Sequence, residues 1–417
     1  MPAIITNKFR LNNAEQFAES FSETANNVYY LGIGRPQPFG TLTRPDGRTD
    51  YEGTDALPNT PADSTGREFY TFDDLVAAKR VQSSDVAFVI PRRNWTAGTV
   101  YDTYSHDIGE YTTGSTSVRK TSNSGATTLF DSTFYVLSSA RNVYKCLDNN
   151  GGATSTDEPT GVSTSVITTT DSYKWKFMYT LSAAQQANFL STDFMAVSPN
   201  SSPGADQSNV ISAAVDGGID IVNIKAGGSG GTNGTFTGIQ IRGDGSGGVA
   251  TVVVGGGQVT SVTVTTPGTG YTFATISNAQ IVAAGATNLA GSELDVIIPP
   301  KGGHGANAQE ELGAFFVMMN TSLEGTESAN SGDFSAVNDF RKIALFRNPT
   351  KSSSAVTSNT ARLTKAIKIA DSPTPGTFTP DEEINQATTG ATGKVVEWDS
   401  TNKILYYIQT RHNNAGV

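Results

Sequence analysis

The stretch that most limits how this chain can fold is Val86–Trp95, VAFVIPRRNW. Val86, Ala87, Phe88, Val89 and Ile90 are apolar and mostly β-branched or aromatic, which suits a strand buried on both faces or the core end of one. Pro91 lacks a backbone donor and has a fixed φ, so ladder pairing is expected to stop there. Arg92, Arg93 and Trp95 follow directly. A buried strand thus delivers two guanidinium groups and an indole to one place at the edge of the protein. Arg and Trp are enriched among residues that carry binding energy at interfaces, so Arg92, Arg93 and Trp95 are the candidate interface residues. The plainer alternative is a solvated arginine pair and a core tryptophan at a strand end.

The rest of the chain repeats this pattern of short apolar runs between turns. Glycine supplies 43 of 417 residues, against a usual share of about 7%. Such a composition fits many short strands joined by turns. The chain is also long enough for two or three domains. FYVL (Phe134–Leu137) and NVYKCL (Asn142–Leu147) read as paired strands with SSARN as the turn between them. In YKWKFMYTL, Tyr173, Trp175, Phe177, Tyr179 and Leu181 alternate with Lys174, Lys176, Met178 and Thr180, the pattern of a half-exposed strand. VYYLGI and FRKIALF are further strands. Three short helices are expected over 13–25, 71–81 and 182–190, each opening on a capping-box arrangement. Residues 40–68 are a polar, Gly- and Pro-containing loop suited to contacts with another chain, and residues 149–165 are a surface loop of similar composition.

An internal repeat occupies the glycine-rich middle. IDIVNIKAGGSGGT begins at Ile219 and VTSVTVTTPGTGYT begins at Val259, forty residues later. At that offset Val222 aligns with Val262, Gly228 with Gly268, Gly230 with Gly270 and Ile241 with Ile281. Each copy reads as a strand, a Gly-rich turn, a second strand and a third. Two copies are too few for a solenoid and suggest a small β-module inserted into the main fold. Residues 373–407 have hairpin character, with turns expected near Gly390 and Gly393 and at Asp399–Asn402. The expected fold class is mainly β: a multi-stranded, β-sandwich-like core with a few short helices, long loops and inserted small β-modules. The expected divisions are a core over 1–215 and 301–355, the repeat module over 216–300, and a C-terminal β-module over 356–417.

Little in the sequence points to chemistry. His106, His304 and His412 are isolated from one another and none has metal-ligand spacing. GDGSGG (Gly243–Gly248) lacks both the Lys-Ser/Thr of a phosphate loop and a following helix pattern, and reads as a turn. GGHG (Gly302–Gly305) reads as a turn re-entering the main domain. No catalytic residue, cofactor site or metal site is expected. The single cysteine, Cys146, cannot form an intrachain disulfide and reads as a buried structural thiol. The formal net charge of −10, without a basic tract, argues against nucleic acid. LGAFFVMM (Leu312–Met319) is too short to cross a bilayer, and the first residues lack a signal-peptide pattern, so synthesis in the cytoplasm without membrane insertion is expected.

Six fragments share an order and spacing with a known family: ITNKFR, VYYLGIGRPQPF, VIPRRNW, VYKCLD, YKWKFMYTL and NDFRKIALFRNP. Together they resemble the baseplate wedge subunit, gene product eight, of T-even-type contractile-tailed phages. The resemblance covers roughly residues 1–215 and 310–350. It implies a mostly β structural protein that forms a homodimer, packs against other baseplate wedge proteins, and resides in the virion tail baseplate after assembly in the host cytoplasm. It carries no active site with it. The competing expectation, from another functional class, is a tail-spike-like carbohydrate-binding adhesin or depolymerase, which would need a carboxylate pair across a groove.

Overall fold

The computed structural model describes residues 6–23, 27–38, 75–113, 116–321, 338–357, 364–370, 376–388 and 390–411. The expectations for the 40–68 loop, for residues 71–74 and for His412 lie outside them. The fold is mainly β, made of many small antiparallel sheets with a few short helices and no closed barrel among the described residues. The chain divides into two compact units. One comprises Met1–Gln16 and Ala87–Met318; the other comprises Phe17–Val86 and Met319–Val417.

The first unit contains the apolar run from Ala87 onward. Val86–Pro91 is a strand lying between Phe194–Ala196 and Phe316–Met319. Val89 and Ile90 are buried, and Pro91 still pairs with Phe194 as the strand's last residue. A second sheet runs Tyr135–Leu137, Asn142–Asp148, Lys174–Thr180, Ile167–Thr168, all antiparallel. The hairpin between the first two turns over Ser138–Arg141, with Arg141 at φ 64°. An isolated parallel bridge between Asn94 and Leu137 follows the first sheet's central strand.

Strand Lys174–Thr180 corrects the expectation of a half-exposed strand. Every residue from Trp175 to Tyr179 is buried, Lys176 included. Trp175 and Phe177 pack with Val136, Tyr144, Cys146, Tyr173 and Val210 on one face of the sheet. The other face packs into a larger cluster with Ile90, Phe134, Leu137, Val143 and Met195. The register shifts between Val143 and Tyr144 leave Met178 without a counterpart, and beyond it Tyr179 joins the second cluster. A one-residue bulge of this kind exchanges the faces that alternation would assign.

The repeat module has its own core within this unit. Val222–Ser229 pairs with Ala290–Val296, while Gln258–Thr266 pairs with Val249–Gly255, which also pairs with Gly234–Gln240. The third strand of each copy therefore pairs with the first strand of the other. Aligned positions do the same work: Ile219 and Val259, Val222 and Val262, and Ile241 and Ile281 are all buried. Gly228 and Gly268 stand at φ +72° and +68°, where an added Cβ would lie within 2.6 Å of backbone oxygen. The copies differ in one element. Gly234–Gln240 is a strand, with Gly238 at φ +74°, whereas the aligned part of the second copy becomes helix Asn278–Ala283 after the two-residue strand Ala274–Thr275. Ser277 and Gln280 form a complete capping box there, and no left-handed glycine interrupts the turn.

In the second unit, Tyr29–Pro38 lies between Asn338–Arg347 and Leu75–Val81. Two fragments of the family resemblance are thus a single antiparallel pair, Tyr29 opposite Arg347. Gly32 has no room for a side chain: a Cβ would meet the Phe346 ring at 2.7 Å. The expected helix over 71–81 is not formed where the structure describes it, because Leu75–Val81 completes this sheet with Leu75 and Val81 buried. The amino-terminal helix also differs in extent, spanning Asn7–Ser20 instead of starting at Asn13. Thr6 accepts from Phe9 N–H one turn earlier, which moves the start upstream. A separate sheet follows in the order Lys365–Lys368, Ile404–Arg411, Ala391–Asp399, Glu383–Gln386. Gly390, at φ +67°, closes one hairpin, and Asp399 closes another by accepting from Thr401 and Asn402 N–H. Gly393 lies on a strand instead of in a turn, where a Cβ would come within 2.7 Å of the Ile408 carbonyl.

Candidate functional site

Arg92, Arg93 and Trp95 are partly buried, and their polar atoms are turned onto the chain's own loops. Arg92 Nη1 donates to the Ser191 carbonyl at 2.7 Å, and its Nε donates to Asn94 Oδ1 at 2.9 Å. Arg93 donates to the carbonyls of Ser132 and Phe130, and its guanidinium carbon stands 4.5 Å from the Tyr135 ring centre. Trp95 Nε1 donates to Ser155 Oγ at 3.1 Å, and Ser155 Oγ in turn donates to Asp171. The three residues therefore hold three separate loops against the end of one buried strand. Guanidinium suits this task because its planar fork can meet two carbonyls at once and never loses its charge.

Aspartates complete the bracing. Burial pushes Asp171 up, but hydrogen bonds from Thr169 Oγ1 and the N–H groups of Thr156, Asp157 and Tyr173 outweigh it and hold the carboxyl at about 2. Asp102 is buried, and bonds from Ser124 and Thr133 overcome that burial and keep its pKa below the ordinary value. Asp244 in the GDGSGG turn accepts from Thr272 and Phe273, which hold it at about 2. Carboxylates saturated in this way are fixed acceptors and poor proton carriers.

Residues to which the sequence assigned no site role form a buried ionic cluster in the first unit. The ladder sets Lys145 directly opposite Lys176, so two buried ammonium groups share one face of the sheet. Lys145 Nζ contacts Glu311 Oε2, both almost wholly buried, and stands 4.8 Å from the Tyr104 ring centre. Glu311 Oε1 accepts from the N–H groups of Gly305 and Asn307. Lys176 Nζ donates to the Thr164 carbonyl at 2.7 Å but is 4.0 Å from Asp220. Burial lowers the Lys145 pKa against the opposing pull of Glu311, and burial raises that of Asp220. His304 of the GGHG turn packs edge-on against Tyr104 at 5.0 Å, and neither ring nitrogen has a hydrogen-bond partner among the described residues. Its pKa is driven well below the ordinary value by burial and by the charges of Lys145 and Lys176. The available signal was a lysine inside the apolar run NVYKCLD, a residue type almost never buried without a partner.

Among the described residues no three His, Cys, Asp or Glu side chains gather as a metal site, and no helix is long and apolar enough to cross a membrane. Cys146 is buried, with its thiol pKa raised by that burial.

The family model described as Phage-Gp8, bacteriophage T4 Gp8, matches residues 3–208 of the chain. Five of the six fragments noted in the sequence fall inside that match; NDFRKIALFRNP lies beyond it. No curated protein matches the chain. The similarity to the baseplate wedge subunit of phage tails is thus shown over the first half, and the family is a structural one.

Proposed function

We propose that the chain is a structural component of a phage tail baseplate wedge, holding wedge neighbours together through protein–protein interfaces and taking part in the rearrangement of the plate on contraction. The carrying observation is the match of residues 3–208 to the Gp8 family. The bracing by Arg92, Arg93 and Trp95 supports the same reading. Loops pinned to a buried strand present fixed shapes, and fixed shapes bind with little entropy to lose. In an assembled plate many moderate contacts add, so each interface can remain modest.

The chain acts as a homodimer in this proposal, and the repeat module over 216–300 is an inserted decoration that meets a neighbouring protein. The C-terminal module over 356–417 serves in the same way. Neither an active site nor a cofactor is part of the mechanism, which is mechanical. The test is reconstitution. The purified chain is mixed with the other wedge proteins of its phage, and mass is followed by size-exclusion chromatography with light scattering. Co-elution, with a free chain of twice 43.8 kDa, is the expected result. A chain that stays alone in every mixture, or that degrades host polysaccharide by itself, overturns the proposal.

A further inference from the structure

The Lys145–Glu311 contact lies where two ions are poorly served. Both side chains are almost wholly buried, and Val143, Leu147 and Leu312, their neighbours in the chain, belong to the main apolar core. An ammonium group has three protons to donate. Among the described residues Lys145 Nζ has one acceptor, Glu311 Oε2, and otherwise meets the Tyr104 ring, 4.8 Å from its centre. A neutral amide in the same place would have one N–H to satisfy and no charge to desolvate.

The carboxyl group is also arranged for attack. Glu311 turns Oε2 to Lys145, while Oε1 accepts from the N–H groups of Gly305 at 2.8 Å and Asn307 at 3.1 Å. Two backbone donors on one oxygen form an oxyanion hole for the charge that develops there when the carboxyl carbon is attacked. Gly305 stands at φ +91°, and an added Cβ would collide with the Val210 side chain, so glycine is needed to present that N–H. Asn307 caps Ala308–Leu312, the helix that carries Glu311, and so fixes the second donor relative to the carboxyl. A proton carrier belongs to the same cluster: burial pushes the Asp220 carboxyl above its ordinary pKa, and the charges of Lys145 and Glu311 both act on it.

We propose that Lys145 Nζ and Glu311 Cδ condense into an amide, an intramolecular isopeptide bond. The newly folded chain holds the ion pair, and the bond forms from it. One proton passes from Nζ to Oε2, leaving a neutral amine and a neutral acid; burial, which lowers the Lys145 pKa, favours that transfer. The nitrogen lone pair bonds to Cδ, and the second electron pair of Cδ=Oε1 moves onto Oε1 between its two N–H donors. A second proton then moves from the nitrogen to Oε2, directly or by way of Asp220. The Cδ–Oε2 bond breaks with its electrons on oxygen, the Cδ=Oε1 bond re-forms, and water leaves. No oxidation or reduction is involved. The bond joins residues 166 apart in the chain and closes a ring around the whole repeat module. Tension on the chain outside the ring would bypass everything within it.

Denaturing electrospray mass spectrometry of the full purified chain reads the bond directly. The wild-type chain should contain a species lighter than its sequence by about 18 Da, the mass of one water. A tryptic digest should contain the peptides of Lys145 and Glu311 joined to each other, with no cleavage after Lys145. Lys145→Met, which lacks the amine, should have the mass of its own sequence. A wild-type chain wholly at its sequence mass, a digest without the joined peptides, or a loss of water that persists in Lys145→Met overturns the proposal and leaves the pair as ions. The digest uses the wild-type chain alone, so it decides the matter even where Lys145→Met does not fold. Neither outcome bears on assembly with wedge proteins, which is read separately.

Discussion

Replacing Glu311 with Gln gives the sharpest test of how the first unit is held together. Glu311 is 3% exposed and is in contact with the Lys145 ammonium, which is fully buried. The substitution keeps the shape and the acceptor for Gly305 N–H but leaves Lys145 charged, buried and opposite Lys176. Breaking a buried pair from one side costs about 3–5 kcal/mol. For a unit of this size each kcal/mol moves the midpoint by about 2–4 °C, so a loss of roughly 6–20 °C is expected. Replacing both partners, Lys145→Met with Glu311→Leu, should recover most of that loss, because apolar pairs of similar volume are often neutral or stabilising. The pH dependence has a fixed sign. Burial places the Lys145 pKa below its unfolded value, and removing Glu311 lowers it further. The unfolded chain then holds more protons between the two values, so the Glu311→Gln variant gains stability as pH rises toward 10.5. Thermal melts followed by circular dichroism from pH 6 to pH 10 measure all of this. A single variant within about 1 kcal/mol of wild type, or a double variant as unstable as the single, refutes the claim that this pair is a committed buried ion pair.

His304 should make the protein acid-sensitive. Its folded pKa lies below the usual 6.5, so the stability tied to the neutral ring is complete above that value and is lost as pH falls below it, by up to about 1.4 kcal/mol per pH unit; denaturant melts from pH 7.5 to pH 4.5 should show this slope, and His304→Gln should flatten it. Trp175→Ala removes a fully buried indole stacked on Tyr173 at 5.5 Å and should cost about 3–5 kcal/mol by chemical denaturation. Arg92→Ala with Arg93→Ala should leave a folded chain that assembles less well, as measured by light scattering against wedge partners; unchanged assembly would limit the pair to bracing its own loops. Deleting residues 217–300 with a short linker should leave a cooperative melt for the remainder, since the module has its own core; loss of any cooperative transition would show that the module is integral.

The paired strands around SSARN and the helix after Ser182 were legible because each is a local pattern: apolar alternation with a turn, or a cap with a partner three residues on. The Gly-rich turns of the repeat were legible for the same reason. Leu75–Val81 was not, since its apolar spacing fits a helix as well as an edge strand and only Tyr29–Pro38 decides between them. Lys176 misled because alternation assigns faces without saying what covers them. Here both faces are covered, and a lysine on the inner side is tolerated only with its carbonyl and carboxylate partners nearby. The placement of Arg92 and Arg93 at a strand end could be read directly. Their acceptors could not, because Phe130, Ser132 and Ser191 lie 37 to 99 residues away.

The repeat module shows why two copies suffice where stacked repeats need about three. In a stack, each unit buries its apolar face on the next and the ends remain open. Here the third strand of the first copy, Val249–Gly255, pairs with the first strand of the second, and Ala290–Val296 returns to pair with Val222–Ser229. Each copy thus supplies what the other lacks, and the cluster formed by Ile219, Val222, Ile241, Val259, Val262 and Ile281 draws on both. One copy alone would leave its first strand unpaired and half of that cluster in water. The closure also brings the chain's entry and exit together, at Asp216 and Gly302, which is the condition for a module to be inserted into a fold without stretching it.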